Sequence, residues 1–319
     1  MFAMAVLAVD LGGTKLALAV FAADATVLYR QVVPLAQRKG AEVGRLITDE
    51  IRNCMAQNPL LSIQSIGVCV PGISHKKEGT VWAPNISGWD DYPLQPEIEA
   101  AVGSIPVTID SDRACYILGE RWQGAAQGCK DAVFLAVGTG IGAGILVNGN
   151  ILRGANDIAG AIGWMALQRP YKSQFKSCGC FEHQASGEGI AKVARLLLEK
   201  KPALKSELRS IAPGKITAAH VFEAYEKRDA IATEVIQQCI RFWGMAVANL
   251  VSLFNPQKII LGGGVFGPAC RFIDAITTEA KKWAQPIAVQ QVQIERSALG
   301  NDAGLYGAGY LALQQGVPV

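Results

Sequence analysis

Charge is scarce in this chain: Asp, Glu, Lys and Arg make up 18% of its 319 residues, and 30 basic against 27 acidic side chains leave a formal +3 spread along the sequence. With no basic stripe to neutralise phosphates or a lipid surface, neither nucleic acid nor membrane is an expected partner. Long apolar runs are missing too. The longest, 132–147, contains four glycines and a threonine and is too short to span a bilayer. The first nine residues are apolar but lack a basic leader and run straight into Asp10, which argues against a secretion signal and for a cytoplasmic protein. Low-complexity tracts and linkers longer than a loop are absent from the pattern as well.

Glycine and aliphatic residues are plentiful instead: there are 34 glycines, and 50% of the chain is hydrophobic. Such a chain buries enough apolar surface to offset its conformational entropy, so disorder is excluded. The glycines follow no period of three and sit beside Val, Ile and Leu rather than Ser, which excludes collagen and flexible linkers. They mark backbone positions with a purpose. Eight cysteines (54, 69, 115, 129, 178, 180, 239, 270) read as reduced, mostly buried thiols, with only Cys178 and Cys180 close together. The length suggests about two domains.

Residues 4–21 form a β-branched and aliphatic run broken by Asp10-Leu-Gly-Gly-Thr14 and resumed at once, the pattern of strand, glycine turn, strand. A second copy lies at 134–149, where Leu135-Ala136-Val137 repeats Leu7-Ala8-Val9 before another glycine cluster. Two similar halves follow. Between them, Val43, Leu46, Ile47, Ile51, Cys54 and Met55 share one helical face, and Ser65–Val70 reads as a buried strand ending at Pro71-Gly72. Helices are predicted over 189–200 and 229–254, the latter stopped by Asn255-Pro256, and the strand Ile259–Leu261 leads into Gly262-Gly263-Gly264. The stretch 302–310 is a small-residue helix suited to close packing. This is an alternating α/β chain.

Glycine loops directly after strands bring backbone N–H groups to bear on phosphate oxygens, because no Cβ blocks the approach. The sequence has two in equivalent places, Gly12-Gly13-Thr14-Lys15 and Gly138-Thr139-Gly140, with a third cluster at Gly262, Gly263 and Gly264. Asp10 would adjoin the phosphates, where a carboxylate serves to orient Mg²⁺ or its water shell. Other phosphate signatures are absent: there is no G-x-x-x-x-G-K-[ST], and no protein-kinase H-R-D or D-F-G. Gly138–Ala143 fits G-x-G-x-x-A, but a strand and a turn follow it, whereas a dinucleotide fingerprint opens a helix.

Taken in order, LAVDLGGTKLALAVF at 7–21, VCVPG at 68–72, Ala83-Pro84-Asn85, TIDSD at 108–112, AVGTGIGAGILVNGNILRGA at 136–155, FNPQKIILGGGV at 254–265 and GNDAGLYGAG at 300–309 give the chain a specific resemblance. It resembles the ROK family of sugar kinases over essentially its whole length. The resemblance implies a duplicated actin-like/ribonuclease-H-like ATPase fold of two α/β domains with the active-site cleft between them. The small domain would span 1–113, with a C-terminal helix at 300–319 packing back on it, and the large one 114–299. It implies transfer of the ATP γ-phosphoryl group to a sugar hydroxyl, usually the exocyclic 6-OH, with Asp112 as general base. Asp10, Gly12, Gly13, Thr14, Lys15, Gly138, Thr139, Gly140 and Gly262–Gly264 would serve ATP and Mg²⁺, the metal held by Asp10 through water. Gly72, Asn85, Asp112, Trp164 and Glu182 would face the sugar. A homodimer is also implied. An alternative for Asp112 is a cap of the helix starting at Arg113, and Ser111 stands where the family has Asn.

Two departures bear on specificity and metal. The segment Ala159–Met165 stands where the family reads G-E-x-G-H, so the sugar-contacting Glu and the zinc-ligating His have become Ala161 and Trp164. The zinc stretch is shortened to Cys178-Gly179-Cys180-Phe181-Glu182, which with His183 supplies at most three of the four ligands that a closed zinc site needs, so no structural zinc is expected. Loss of polar partners for O1 and O2 points to a substrate altered near C1 or C2: a glycoside, an amino sugar or another hexose. Trp164 either walls that pocket or fills the space of the lost metal motif, with Phe181 as another filler. Trp82 and Trp89 flank Asn85 and are either pocket wall or core. His75 is placed in a loop, and Lys15 and Arg153 read as solvated. The competing functions are an ordinary glucokinase, a catalytically silent sugar-binding protein, and a sugar-responsive repressor, the last disfavoured because only nine residues precede Asp10.

Overall fold

The computed structural model describes residues 3–316 and divides into two compact units. The first comprises the chain up to Gly128, then Ile151–Ala159, and then the residues from Ala298 onward. Its sheet is built from β1 (Ala3–Leu11), β2 (Lys15–Ala22), β3 (Val27–Pro34), β4 (Leu61–Val70) and β7 (Val107–Ser111), in the order β3-β2-β1-β4-β7. The β1–β2–β3 meander is antiparallel, and β4 and β7 extend it in parallel. A small hairpin, β5 (Ile73–His75) with β6 (Thr80–Trp82), follows β4, so His75 ends a strand rather than lying in a loop.

One face of this sheet is covered by α1 (Ala41–Gln57) and α2 (Leu94–Val102). The apolar stripe of α1, Val43, Ile47, Ile51 and Cys54, packs with Leu7, Val9, Leu18 and Val68. That is the amphipathic solution the spacing predicts. On the other face lie α3 (Asp112–Gln123) and the C-terminal helix Ala303–Gly316, against Val6, Ala8, Phe21 and Cys69. Glycine makes this contact possible. A Cβ on Gly67 would stand 1.9 Å from the carbonyl oxygen of Ala308, one on Gly119 2.3 Å from that of Ala303, and one on Gly307 1.8 Å from that of Cys115. The boundary expected at 113 therefore falls inside a packed helix: α3 stays with the first unit because its backbone touches the C-terminal helix, and the division comes after Gly128.

The second unit spans Cys129–Asn150 and Gly160–Ser297. Its sheet repeats the first: β8 (Ala132–Val137), β9 (Ile141–Val147), β10 (Asn150–Ile151), β11 (Lys258–Gly262) and β12 (Gln293–Arg296) are ordered β10-β9-β8-β11-β12, with β8–β9 antiparallel and β8–β11–β12 parallel. The helices are α4 (Cys180–Ala185), α5 (Gly187–Lys200), α6 (Ala218–Glu226), α7 (Ala230–Phe254), α8 (Ile273–Ala280) and α9 (Ala288–Gln291). The predicted long helix is α7. Asp229 caps it by accepting from the Ala232 N–H, and Asn255 ends it in the left-handed conformation, at φ 43°. The buried Trp243 indole donates to the Ala185 carbonyl at 3.0 Å and locks α4 onto α7. Among the described residues no helix is long and apolar enough to cross a membrane.

Candidate active site

In the first unit, the turn after β1 is closed by the Gly12 N–H donating to the Lys15 carbonyl at 2.9 Å. Gly13, Thr14 and Lys15 are exposed, and nothing lies within 4 Å of the place where a Gly13 Cβ would stand, leaving an open backbone cradle. Asp10 sits half-buried at its root. Burial pushes its carboxyl up to about 6, the Cys69 thiol and the charge of Lys15 pull it down, and the carboxylates of Asp112 and Asp302 push it up further. Gly304 belongs to this arrangement, since its Cβ would lie 2.8 Å from an Asp10 carboxylate oxygen.

Strand β7 ends at Ser111, and the hydroxyl of Ser111, not the carboxylate of Asp112, caps α3 by accepting from the Ala114 N–H at 3.4 Å. The reading of Asp112 as the cap is thereby corrected. Asp112 is the first helical residue, and its Oδ1 accepts from the Arg113 N–H at 2.7 Å. Burial pushes this carboxyl up to about 6, while the Arg113 charge and hydrogen bonds from the Arg113 N–H and Tyr116 hydroxyl act the other way. The chain does not leave the first unit here, as the expected boundary implied, but continues through α3.

Asp110, unassigned from the sequence, is the most buried acid of this region, its side chain 3% exposed. Its Oδ1 accepts from Arg153 Nη1 at 2.7 Å and its Oδ2 lies 2.6 Å from Arg153 Nη2, with Lys76 Nζ at 3.4 Å. Arg153 is thus half of a two-pronged ion pair rather than a solvated side chain. The alternation in TIDSD hints at an inward acid, but nothing in it names a cation 43 residues away. Removing Arg153 strands that carboxylate beside a single, longer lysine contact. Arg153→Met is expected to cost about 3 kcal/mol in urea unfolding, and adding Asp110→Asn should recover most of it.

Gly72 holds φ 96°, and a Cβ there would stand 2.1 Å from the Trp82 carbonyl oxygen, so no other residue fits. Its own carbonyl accepts from Arg113 Nη2 at 3.3 Å. Asn85 is exposed, as is Trp82 at 37%. Trp89 is core: it is buried, stacks on Tyr92 with ring centroids 4.6 Å apart, and donates to the Gly40 carbonyl.

In the second unit, the Gly138 N–H donates to the Gly140 carbonyl at 2.9 Å, leaving Thr139 exposed and Gly138 open on its Cβ side. Glu182, in the first turn of α4, reaches this loop, its Oε2 accepting from the Ile141 N–H at 2.7 Å. A Cβ on Gly140 would stand 2.7 Å from that oxygen, so Gly140 is needed as much to seat Glu182 as to open the loop. Burial pushes the Glu182 carboxyl up, against the Ile141 hydrogen bond and the Lys192 charge. In the third cluster the three glycines differ. Gly262 is buried with its Cβ position 2.2 Å from the Phe134 ring and serves packing, whereas Gly263, at φ 87°, and Gly264 are exposed.

Trp164 ends a 3₁₀ turn, Ile162–Trp164, and is 57% exposed, which rules out the role of space filler. That role belongs to Phe175 and Phe181, both buried, with the His183 ring edge-on to Phe175 at 5.4 Å. His183 is buried with Nε2 lacking a hydrogen-bond partner, and burial and nearby lysines push its pKa down, which keeps it neutral. Among the described residues no three His, Cys, Asp or Glu side chains converge as a metal site, so Cys178, Cys180 and His183 do not fit the zinc that the family resemblance implies. Chelator dialysis is accordingly expected to leave Tm unchanged within about 1 °C, while Phe175→Ala lowers stability by about 3–5 kcal/mol. Metal analysis and thermal melts check both.

Two units with one strand order, each with a glycine loop at its first hairpin, define a duplicated α/β fold of the actin-like ATPase class. The chain belongs to the ROK family, whose model matches residues 6–315. It is 32% identical over 316 residues to a glucokinase of Halalkalibacterium halodurans, covering 96% of this chain and 94% of the relative. It is 28% identical over 313 residues to a β-glucoside kinase of Listeria monocytogenes, covering 98% of each. Among solved structures, a ROK family glucokinase from Streptomyces griseus in complex with glucose and AMPPNP superposes with a TM-score of 0.76 at 30% identity, over 97% of this chain and 99% of that one.

Proposed function

We propose that the chain is an ATP-dependent carbohydrate kinase that transfers the γ-phosphoryl group to a hydroxyl, the 6-OH, of a hexose or hexose derivative. The observation that carries the residue assignment is the half-buried Asp112 carboxylate at the first turn of α3, with its pKa raised to about 6 and its capping duty taken over by Ser111. A base poised near neutrality is what abstraction of a hydroxyl proton requires. Asp112 takes that proton, the sugar oxygen forms its bond to the γ-phosphorus as the bond to the β-γ bridging oxygen breaks, and ADP leaves carrying the electron pair. Phosphoryl transfer asks mainly for alignment and charge neutralisation. In this reading the backbone of Gly12–Lys15 and Gly138–Gly140 orients the phosphates, Gly263 and Gly264 meet the adenosine, and Gly72, Asn85 and Glu182 hold the sugar. Mg²⁺, held by Asp10 through water, would neutralise phosphate charge.

The sugar is proposed to differ from glucose near C1 or C2. Ala161 offers no carboxylate there, and the exposed Trp164 ring is free to stack on a pyranose or an apolar aglycone. Trp164 and Glu182 are brought together by glycines: a Gly163 Cβ would meet Glu182 at 3.0 Å, and a Gly179 Cβ would meet Trp164 Cα at 2.5 Å. A β-glucoside kinase among the relatives supports an acceptor substituted at C1. ADP release across hexoses, amino sugars and β-glucosides tests both levels. No sugar-stimulated release would overturn the kinase reading, and glucose far ahead of all others would overturn the specificity. A homodimer and a cytoplasmic location belong to the same proposal.

A further inference from the structure

We infer that Arg113 is a positioning residue for the base, tying the first turn of α3 to the Gly72 turn and placing a fixed positive charge beside Asp112. The inference rests on Asp112 being the base. Arg113 occupies the second helical position, where the positive end of the helix dipole makes a cation unfavourable. It is half-buried, and among the described residues its guanidinium has no carboxylate within ion-pair distance; its side-chain hydrogen bond goes to the Gly72 carbonyl. A guanidinium in such a place works against local stability, so its use is sought in what it does to its neighbours. Gly72 is a glycine-only position, since at φ 96° a Cβ would stand 2.1 Å from the Trp82 carbonyl oxygen, and the backbone of β6 is packed against it. Arg113 donates to the Gly72 carbonyl through its side chain and to Asp112 Oδ1 through its main chain, which sets the carboxylate relative to the turn proposed to hold the sugar.

The groups around Asp112 define what the charge does. Tyr116, Arg113 and Cys115 of α3, Asp10 of β1 and Cys69 of β4 are the titratable and charged groups that interact with it. The Asp112 charge pushes the Asp10 carboxyl up, and Arg113 is the cation of the set that favours ionisation of Asp112. The experiment compares wild type, Arg113→Gln and Arg113→Lys in kcat, sugar KM and the acid limb of kcat/KM, with thermal melts to establish folding. Arg113→Gln is expected to lower kcat about tenfold and to move the acid limb upward by about 0.5 pH unit or more, and Arg113→Lys to restore the limb. An unmoved limb with kcat within about twofold of wild type in folded Arg113→Gln would overturn the inference. Asp112→Asn, assayed alongside, separates this failure from that of the base assignment: if it keeps the wild-type limb, Asp112 is not the base.

Discussion

Asp112→Asn should lose about 10²-fold to 10⁴-fold in turnover while the folded protein becomes no less stable, the loss being the usual worth of a general base. The stability half follows from the direction of the pKa shift. Burial raises the Asp112 carboxyl from 3.8 to about 6, so between these values the unfolded chain has released its proton and the folded chain still holds it. Stability from this group therefore falls as pH rises through that window, and above it the full penalty of an ionised, half-buried carboxylate is present. Asparagine removes the penalty, so a gain on the order of 1–3 kcal/mol at pH 7 is expected, absent near pH 3. Wild-type kcat/KM should fall as pH drops through about 6, because the base is then protonated, and ATP binding should change little in the variant. Steady-state kinetics and urea unfolding at two pH values measure all of this. A variant with unchanged turnover would refute the base, and one that is inactive because it is unfolded would refute the electrostatic account.

Gly307→Val should be the most damaging substitution outside the proposed chemistry. Its Cβ would be driven to 1.8 Å from the Cys115 carbonyl oxygen, a backbone atom that can yield only if α3 or the C-terminal helix moves bodily. Overpacking of this kind costs more than a misplaced side chain, about 3–5 kcal/mol, which for a chain of this size is roughly a 4–8 °C fall in Tm. Activity should fall too, since the same helix carries Gly304 beside Asp10, and α3 begins with Asp112. Gly214→Ala is the control: nothing lies within 4 Å of its Cβ position, and its Tm should match wild type. Thermal melts of the two variants compare them directly, and equal stabilities would contradict the close backbone contact.

Much of the fold was legible because it is written in local chemistry. The two strand–glycine–strand units stand out since apolar runs buried on both sides cannot be confused with loops, and their repetition exposes the duplication. The stop at Asn255, the face of α1 and the small-residue helix near the C-terminus were likewise local. What escaped was pairing and choice among equals. Ser111 and Asp112 are both good capping residues, and only the backbone decides that the hydroxyl caps and the carboxylate is released. Of two tryptophans flanking Asn85, one became core because it met Tyr92. Among three consecutive glycines, Gly262 was claimed by Phe134.

The sequence by itself determined the α/β class, the duplication, the glycine loops and the acids beside them, because turn chemistry and hydrophobic period act over a few residues. Only the tertiary structure decided that Arg153 answers Asp110, that Glu182 is seated against the second glycine loop, that α3 stays with the first unit, and that the His183 ring packs edge-on against Phe175. Each of these depends on which distant groups arrive within a few ångströms of a buried atom. Packing decides that, and no short stretch of chain records it.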